Sequence, residues 1–150
     1  MINLVPNAPL DLLTLEALLA DRDELFLVWP DARFPFDREQ WREALSRDGN
    51  RSYFIALDGN KIGHAALLQT DEPQTLAVSY LYIRADQRGR GFGRELMALL
   101  EAEGRKLGAR ALRLRVRSYN PRAAHVYESS GFARSDQDGT RITMRKSLPG

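Results

Sequence analysis

The segment Asp86 to Glu95, DQRGRGFGRE, sets Gly89, Gly91 and Gly93 among Arg88, Arg90 and Arg94. Glycine opens positive φ and lets a ligand approach the main chain, at a cost in backbone entropy. Arginine supplies a permanent cation with a planar fork of donors suited to phosphate oxygens. An apolar strand pattern precedes the segment and a helical periodicity comes after it. The glycines therefore stand at a helix start, where the first N–H groups lack intrahelical partners and carry partial positive charge. Types and position together point to phosphate binding. Elsewhere reactive groups are few. Cysteine is absent and the only histidines are His64 and His125. That removes disulfides, thiolate nucleophiles, Cys-based zinc sites and a multi-histidine metal centre. Asp31, Asp71, Glu72 and His64 are groups that could accept a proton.

The elements that must hold these residues can be read from pattern. Ile2 to Val5 reads as a short strand. Pro9 opens a helical pattern with Leu10, Leu13, Ala17 and Leu18 on one side. Asp21 to Val28 reads as a second helix, stopped before Trp29-Pro30. WPDARFPF is an ordered aromatic loop, and Asp37 then caps a helix, with Gln40 placed for a capping box. RSYFIAL and KIGHAALL flank Asp58-Gly59-Asn60 as a hairpin. A strand over Leu76 to Arg84 leads into the glycine segment. A long helix comes next, with Phe92, Leu96, Leu99, Leu100 and Leu107 on one face and Gly108 at its end. Ala111 to Arg117 alternates Leu112, Leu114 and Val116 against Arg113, Arg115 and Arg117. Asn120-Pro121 starts a helix that ends at Gly131, and a strand or strands close the chain, with Arg141 to Ser147 read as the last. The order predicts an α/β (α+β) domain. Its central sheet is mixed and mostly antiparallel, flanked by helices, with one parallel crossover over Leu76 to Arg117.

Length and composition fit one globular domain over residues 1–150: 43% hydrophobic and 28% charged residues leave bulk disorder out. No apolar run approaches the ~18 residues of a membrane span. The N-terminus lacks a signal-peptide pattern, so a cytoplasmic protein without a membrane partner is expected. A net charge of +2 is too balanced to indicate nucleic-acid binding, and the arginine strand has no interleaved aromatics.

Two phosphate-binding loops fail here. A nucleotide-hydrolysing P-loop needs Gly-Lys-Ser/Thr, whereas Gly93 is followed by Arg94-Glu95. A dinucleotide fold wants glycine where Arg94 stands. Arg88-x-x-Gly91-x-Gly93 instead resembles the acetyl-CoA pyrophosphate loop of the GNAT superfamily of N-acetyltransferases. Asn120-x-x-Ala123-x-x-Val126-Tyr127 followed by Gly131-Phe132 resembles that family's later helix. The resemblance runs from about Arg51 to Lys146 and implies a single-domain GNAT fold.

The resemblance also implies roles. Acetyl-CoA would be the cosubstrate, with no metal. Backbone groups of Leu81, Tyr82 and Ile83 would pair with its pantetheine arm. Its pyrophosphate would sit on the loop of Arg88, Gly89, Arg90, Gly91, Phe92, Gly93 and Arg94. Asn120 matches a position that contacts the arm, and it serves equally as a helix cap. Tyr127 would be the general acid to the CoA thiolate as an amine attacks directly in a ternary complex. The family's usual glutamate base has no counterpart on either strand beside the loop, so a water chain or one of the four groups above would serve. The acceptor would be a small-molecule primary amine or a protein N-terminus. Arg113, Arg115 and Arg117 either face solvent or line the acceptor groove. A homodimer is compatible with the resemblance. The competing reading is a non-catalytic acyl-CoA-binding or regulatory module.

Overall fold

The computed structural model describes residues 1–149. Seven strands hydrogen-bond in the order β1-β2-β3-β4-β5-β7-β6, and five helices accompany them among the described residues. The elements are β1 Ile2–Pro6, α1 Leu12–Leu18, α2 Arg22–Val28, α3 Arg38–Leu45, β2 Arg51–Leu57, β3 Asn60–Gln69 and β4 Thr75–Ile83. A 3₁₀ turn at Ala85–Gln87 leads to α4 Phe92–Lys106, β5 Ala111–Arg117, α5 Pro121–Ser129, β6 Ala133–Asp138 and β7 Arg141–Ser147. The β1–β2, β2–β3, β5–β7 and β6–β7 pairs are antiparallel, and β4–β5 is parallel. The mixed, mostly antiparallel sheet is the one expected.

Two compact units share the chain: Met1–Leu68 with Ser79–Arg88, and Gln69–Val78 with the residues from Gly89 onward. The first unit is organised by an apolar cluster of Leu12, Leu15, Leu19, Leu25, Trp41, Leu45 and Phe54, among others. Helix α1 starts two residues after Leu10, because Asp11 caps it by accepting from the Thr14 N–H at 3.0 Å. That shift makes Leu12 and Leu15 the buried face and leaves Leu13 64% exposed. Asp37 caps α3 as expected, taking the Glu39 and Gln40 N–H groups. Gln40 forms no capping box. Its amide accepts from Arg33 N–H and donates to the Asp31 carbonyl, tying down the aromatic loop. Trp29 and Phe36 of that loop pack on the buried Trp41, at centroid distances of 4.9 and 5.3 Å. Phe34 stays 48% exposed.

In the second unit the apolar face of α4 (Leu96, Met97, Leu100) and that of β5 (Leu112, Leu114, Val116) are buried, with Ile142, Met144 and Leu148. Gly104 permits a close fit, since a Cβ there would stand 3.2 Å from Leu112. Strand β6 is exposed at every residue. It has no apolar face to announce it; pairing with β7 and an Arg134–Glu128 ion pair at 3.5 Å hold it.

Candidate functional site

Strand β4 pairs with β5 in parallel over Thr75 to Ala77. Successive strand residues send their backbone groups to opposite sides. The Tyr82 carbonyl presses against Gly63 of β3, where a Cβ would overlap it, and the Arg84 N–H donates to the Ile62 carbonyl at 2.8 Å. By alternation the Leu81 and Ile83 groups face away from β3. Arg88 already occupies one of them, its Nε donating to the Ile83 carbonyl at 2.7 Å. The Arg88 guanidinium also holds both carboxylate oxygens of Glu24 on α2, at 2.9 and 3.1 Å, and lies 5.5 Å from the Tyr82 ring centroid. The family resemblance placed Arg88 in the pyrophosphate loop. Here it braces the start of the loop.

The glycines divide their tasks. Gly89 and Gly91 have φ of +78° and +80°, and nothing lies within 4 Å of the place of a Cβ on either. They need glycine for conformation, and they leave open space above the main chain. Gly91 is the N-cap of α4 and supplies no side-chain cap, so the first N–H groups of a 15-residue helix are left by the fold to a ligand or solvent. Gly93 does something else: a Cβ there would stand 2.9 Å from Val126 Cγ1. It lets α4 and α5 approach. Arg90 extends over the Phe92 ring at 5.4 Å, and Arg94 is exposed.

Helix α5 brings the second motif into the same unit. Asn120 Oδ1 accepts from the Ala123 N–H at 3.3 Å, with Pro121 in the first turn. The helix ends at Gly131, φ +97°. There Lys146 Nζ donates to the Ser130 carbonyl at 2.7 Å and to Glu101 at 2.8 Å. Tyr127 is half-buried, with its ring 6.3 Å from that of Phe132. Its hydroxyl has no hydrogen-bond partner among the described residues. Burial pushes its pKa above the ordinary phenol range, so it carries its proton at neutral pH.

The groups considered as bases are otherwise engaged or open to water. Glu72 is tied to Arg145 and Thr75, and the Arg145 guanidinium chiefly holds its carboxyl below the usual range. Asp71 is 93% exposed and 3.4 Å from Arg113. Asp31 is exposed. His64 is fully buried, burial lowers its pKa to about 4, and both ring nitrogens have partners. On the arginine face, Arg113 is thus engaged. Arg115 and Arg117 stand opposite Thr143 and Arg141, with Asp136 and Asp138 next across on β6.

The model of the acetyltransferase (GNAT) family matches residues 15–132. The chain belongs to that family. With the relatives that follow, this makes it an N-acetyltransferase, and one family model runs across both units. It is 33% identical over 122 residues to the L-amino acid N-acyltransferase MnaT of Escherichia coli (strain K12), covering 77% of this chain and 71% of that protein. It is 29% identical over 118 residues to an uncharacterized N-acetyltransferase of Lactobacillus delbrueckii subsp. lactis, covering 69% and 68%. In fold it matches the aminoglycoside acetyltransferase AAC(6')-Ib, solved with coenzyme A and kanamycin. The TM-score is 0.79 and the identity 22%, over 98% of this chain and 95% of that one. No helix among the described residues is long and apolar enough to cross a membrane, and no group of His, Asp or Glu among them is arranged to hold a metal ion.

Proposed function

We propose that this N-acetyltransferase transfers the acetyl group of acetyl-CoA to a primary amine by direct attack in a ternary complex, in the cytoplasm. The observation that carries this is the α4 N-terminus: uncapped by any side chain, opened by two positive-φ glycines, and followed in the same unit by a tyrosine with an uncommitted hydroxyl. The pyrophosphate accepts from N–H groups of Gly89 to Arg94. The arm runs along β4, using the Leu81 groups and the Ile83 N–H. Asn120, whose position in the family contacts the arm, caps α5.

The amine nitrogen attacks the thioester carbon, the C–S bond breaks, and Tyr127 donates to the leaving sulfur. Reference values of ~10 for tyrosine and ~8.5 for a thiol make full proton transfer cost about 2 kcal/mol in water. Burial of Tyr127 widens that gap, so hydrogen bonding to the forming thiolate is its main contribution. The attacking amine gives its proton to water, since Glu72 and His64 are committed to other partners and Asp31 and Asp71 stand in solvent. The acceptor is a small amine. The amino-acid acylating relative supports a substrate carrying a carboxylate, with Arg115 or Arg117 as its counter-charge.

The test is thiol release from acetyl-CoA across an amine library that includes free amino acids, polyamines and peptide N-termini. Tyr127→Phe lowers turnover by roughly 10²–10⁴ with acetyl-CoA affinity kept. Unchanged turnover in that variant removes the acid role. Binding of acetyl-CoA with no transfer to any amine favours the non-catalytic module.

A further inference from the structure

His64 is a fully buried imidazole with a polar partner on each nitrogen. Nε2 lies 2.7 Å from Ser52 Oγ, and Nδ1 lies 3.0 Å from the Tyr80 carbonyl oxygen. A carbonyl can only accept, so Nδ1 carries the proton and Ser52 donates to Nε2. Ser52 Oγ in turn accepts from Asn7 Nδ2 at 3.2 Å, and Asn7 Oδ1 accepts from the Asp11 N–H at 2.7 Å. Every bond in this relay has one direction, and the neutral tautomer is fixed. The relay ends on Tyr80, whose φ is +52°. A bulky aromatic rarely adopts that left-handed conformation, and it persists only where the surroundings over-determine it. The strand that supplies the imidazole also fits the chain just beyond Tyr80: the Tyr82 carbonyl packs against Gly63, the neighbour of His64.

We propose that His64 is a positioning residue for the acetyl-CoA arm. Its Nδ1–H pins the Tyr80 carbonyl, and the pinned kink sets where Leu81 and Ile83 present their backbone groups. This rests on the reading that the arm runs along β4. Leu81 is bonded directly to Tyr80, so a turn of the Tyr80 backbone displaces the Leu81 N–H and carbonyl with it. The network is large for a single carbonyl: three buried polar side chains, from the segment after β1, β2 and β3, are linked in series and end on it through His64. Such a network rigidifies when every member is satisfied.

Three variants separate pinning from packing. His64→Leu removes the donor but fills the space. His64→Asn keeps a donor, because the amide Nδ2 takes the place of imidazole Nδ1. Ser52→Ala keeps the imidazole and its donor but removes the hydroxyl that anchors Nε2, so the ring is held less firmly on the carbonyl. For each, the dissociation constants of acetyl-CoA and of 3′-phospho-ADP, its nucleotide end alone, are measured, with amide exchange of residues 79–84 in the ligand-free protein. His64→Leu should weaken acetyl-CoA about tenfold, leave 3′-phospho-ADP within about twofold, and speed exchange at 79–84. His64→Asn should stay within about threefold of wild type throughout, and Ser52→Ala should show the leucine pattern at about threefold. Equal losses in the Leu and Asn variants overturn the proposal, as do equal losses on both ligands or unchanged exchange in a folded Leu variant. Should His64→Leu not fold, wild-type behaviour of Ser52→Ala overturns it. A wild-type protein that fails to bind acetyl-CoA overturns the parent reading, while the exchange measurement decides the pin without any ligand.

Discussion

Replacing Gly93 by alanine should destabilise the protein, although alanine is the better helix former. The new Cβ would lie 2.9 Å from Val126 Cγ1, 3.8 Å from Cγ2 and 4.0 Å from Cβ. Carbon pairs rest at ~3.5–4.0 Å, so the Cγ1 contact must open by about 0.6 Å or more. Val126 cannot rotate away, since a valine in a helix keeps essentially one χ1. Helix α5 cannot yield freely either, being capped by Asn120 at one end and held by Lys146 at the other. Overpacking of this kind costs roughly 1–3 kcal/mol. The propensity gain of alanine over glycine returns about 0.5–1 kcal/mol, and Gly93 needs no positive φ. The net loss is about 0–2.5 kcal/mol, centred near 1. In a Val126→Ala background the clash is gone, and the same substitution should stabilise by about 0.5–1 kcal/mol. Urea unfolding of the four proteins gives the coupling directly. If Gly93→Ala has the same sign and size in both backgrounds, Gly93 does not set the spacing of α4 and α5. That spacing matters for function because Tyr127 is the next residue after Val126.

Two further outcomes concern the first unit. His64 titrates at about 4 when folded against 6.5 in the open chain, so between those values the unfolded chain binds a proton that the folded protein does not. Its contribution is fully present above pH 6.5 and declines as pH falls toward 4, by about 2 kcal/mol at pH 5. Urea unfolding at pH 7 and pH 5 should show this decline, and His64→Asn should remove most of it; an unaltered pH slope in that variant would mean His64 is not the group. Gly63→Ala drives a Cβ into the Tyr82 carbonyl and to within 3.2 Å of Ile55. It should cost more than about 3 kcal/mol, seen as a large fall in Tm, and a near-native Tm would show that β3 and β4 can part there.

Much of the fold was legible because its signals are local. Asp58 and Gly59 adopt φ of +50° and +82°, as a two-residue hairpin turn demands. Gly108 and Gly131 end their helices at positive φ. The alternation of β5 survives as a buried apolar face. The errors have physical causes. In a leucine-rich run, α1 offers two apolar stripes, and the Asp11 cap chose between them. Strand β6, ARSDQD, carries no apolar period because neither face is buried. The Gln40 side chain left its own helix for two loop backbone groups that no local rule brings near.

For the candidate site, the order of residue types was enough to indicate the family, because the glycine loop and the Asn–Tyr–Gly–Phe helix are each short and continuous in sequence. Their chemistry depends on main-chain geometry within a few residues. What depends on distant residues had to await the tertiary structure. Arg88 is committed to Glu24, 64 residues away. Gly93 has Val126, 33 positions on, against the place of its missing Cβ. His64, which sequence offered as a base, is a buried donor whose partners come from β2 and β4. Sequence by itself determined the loop, the caps and the alternations, since these are set by the conformational preferences of neighbouring residues. The tertiary structure decided which arginine braces, which glycine spaces and which titratable group is dry, since burial and long-range hydrogen bonds are properties of the packed chain.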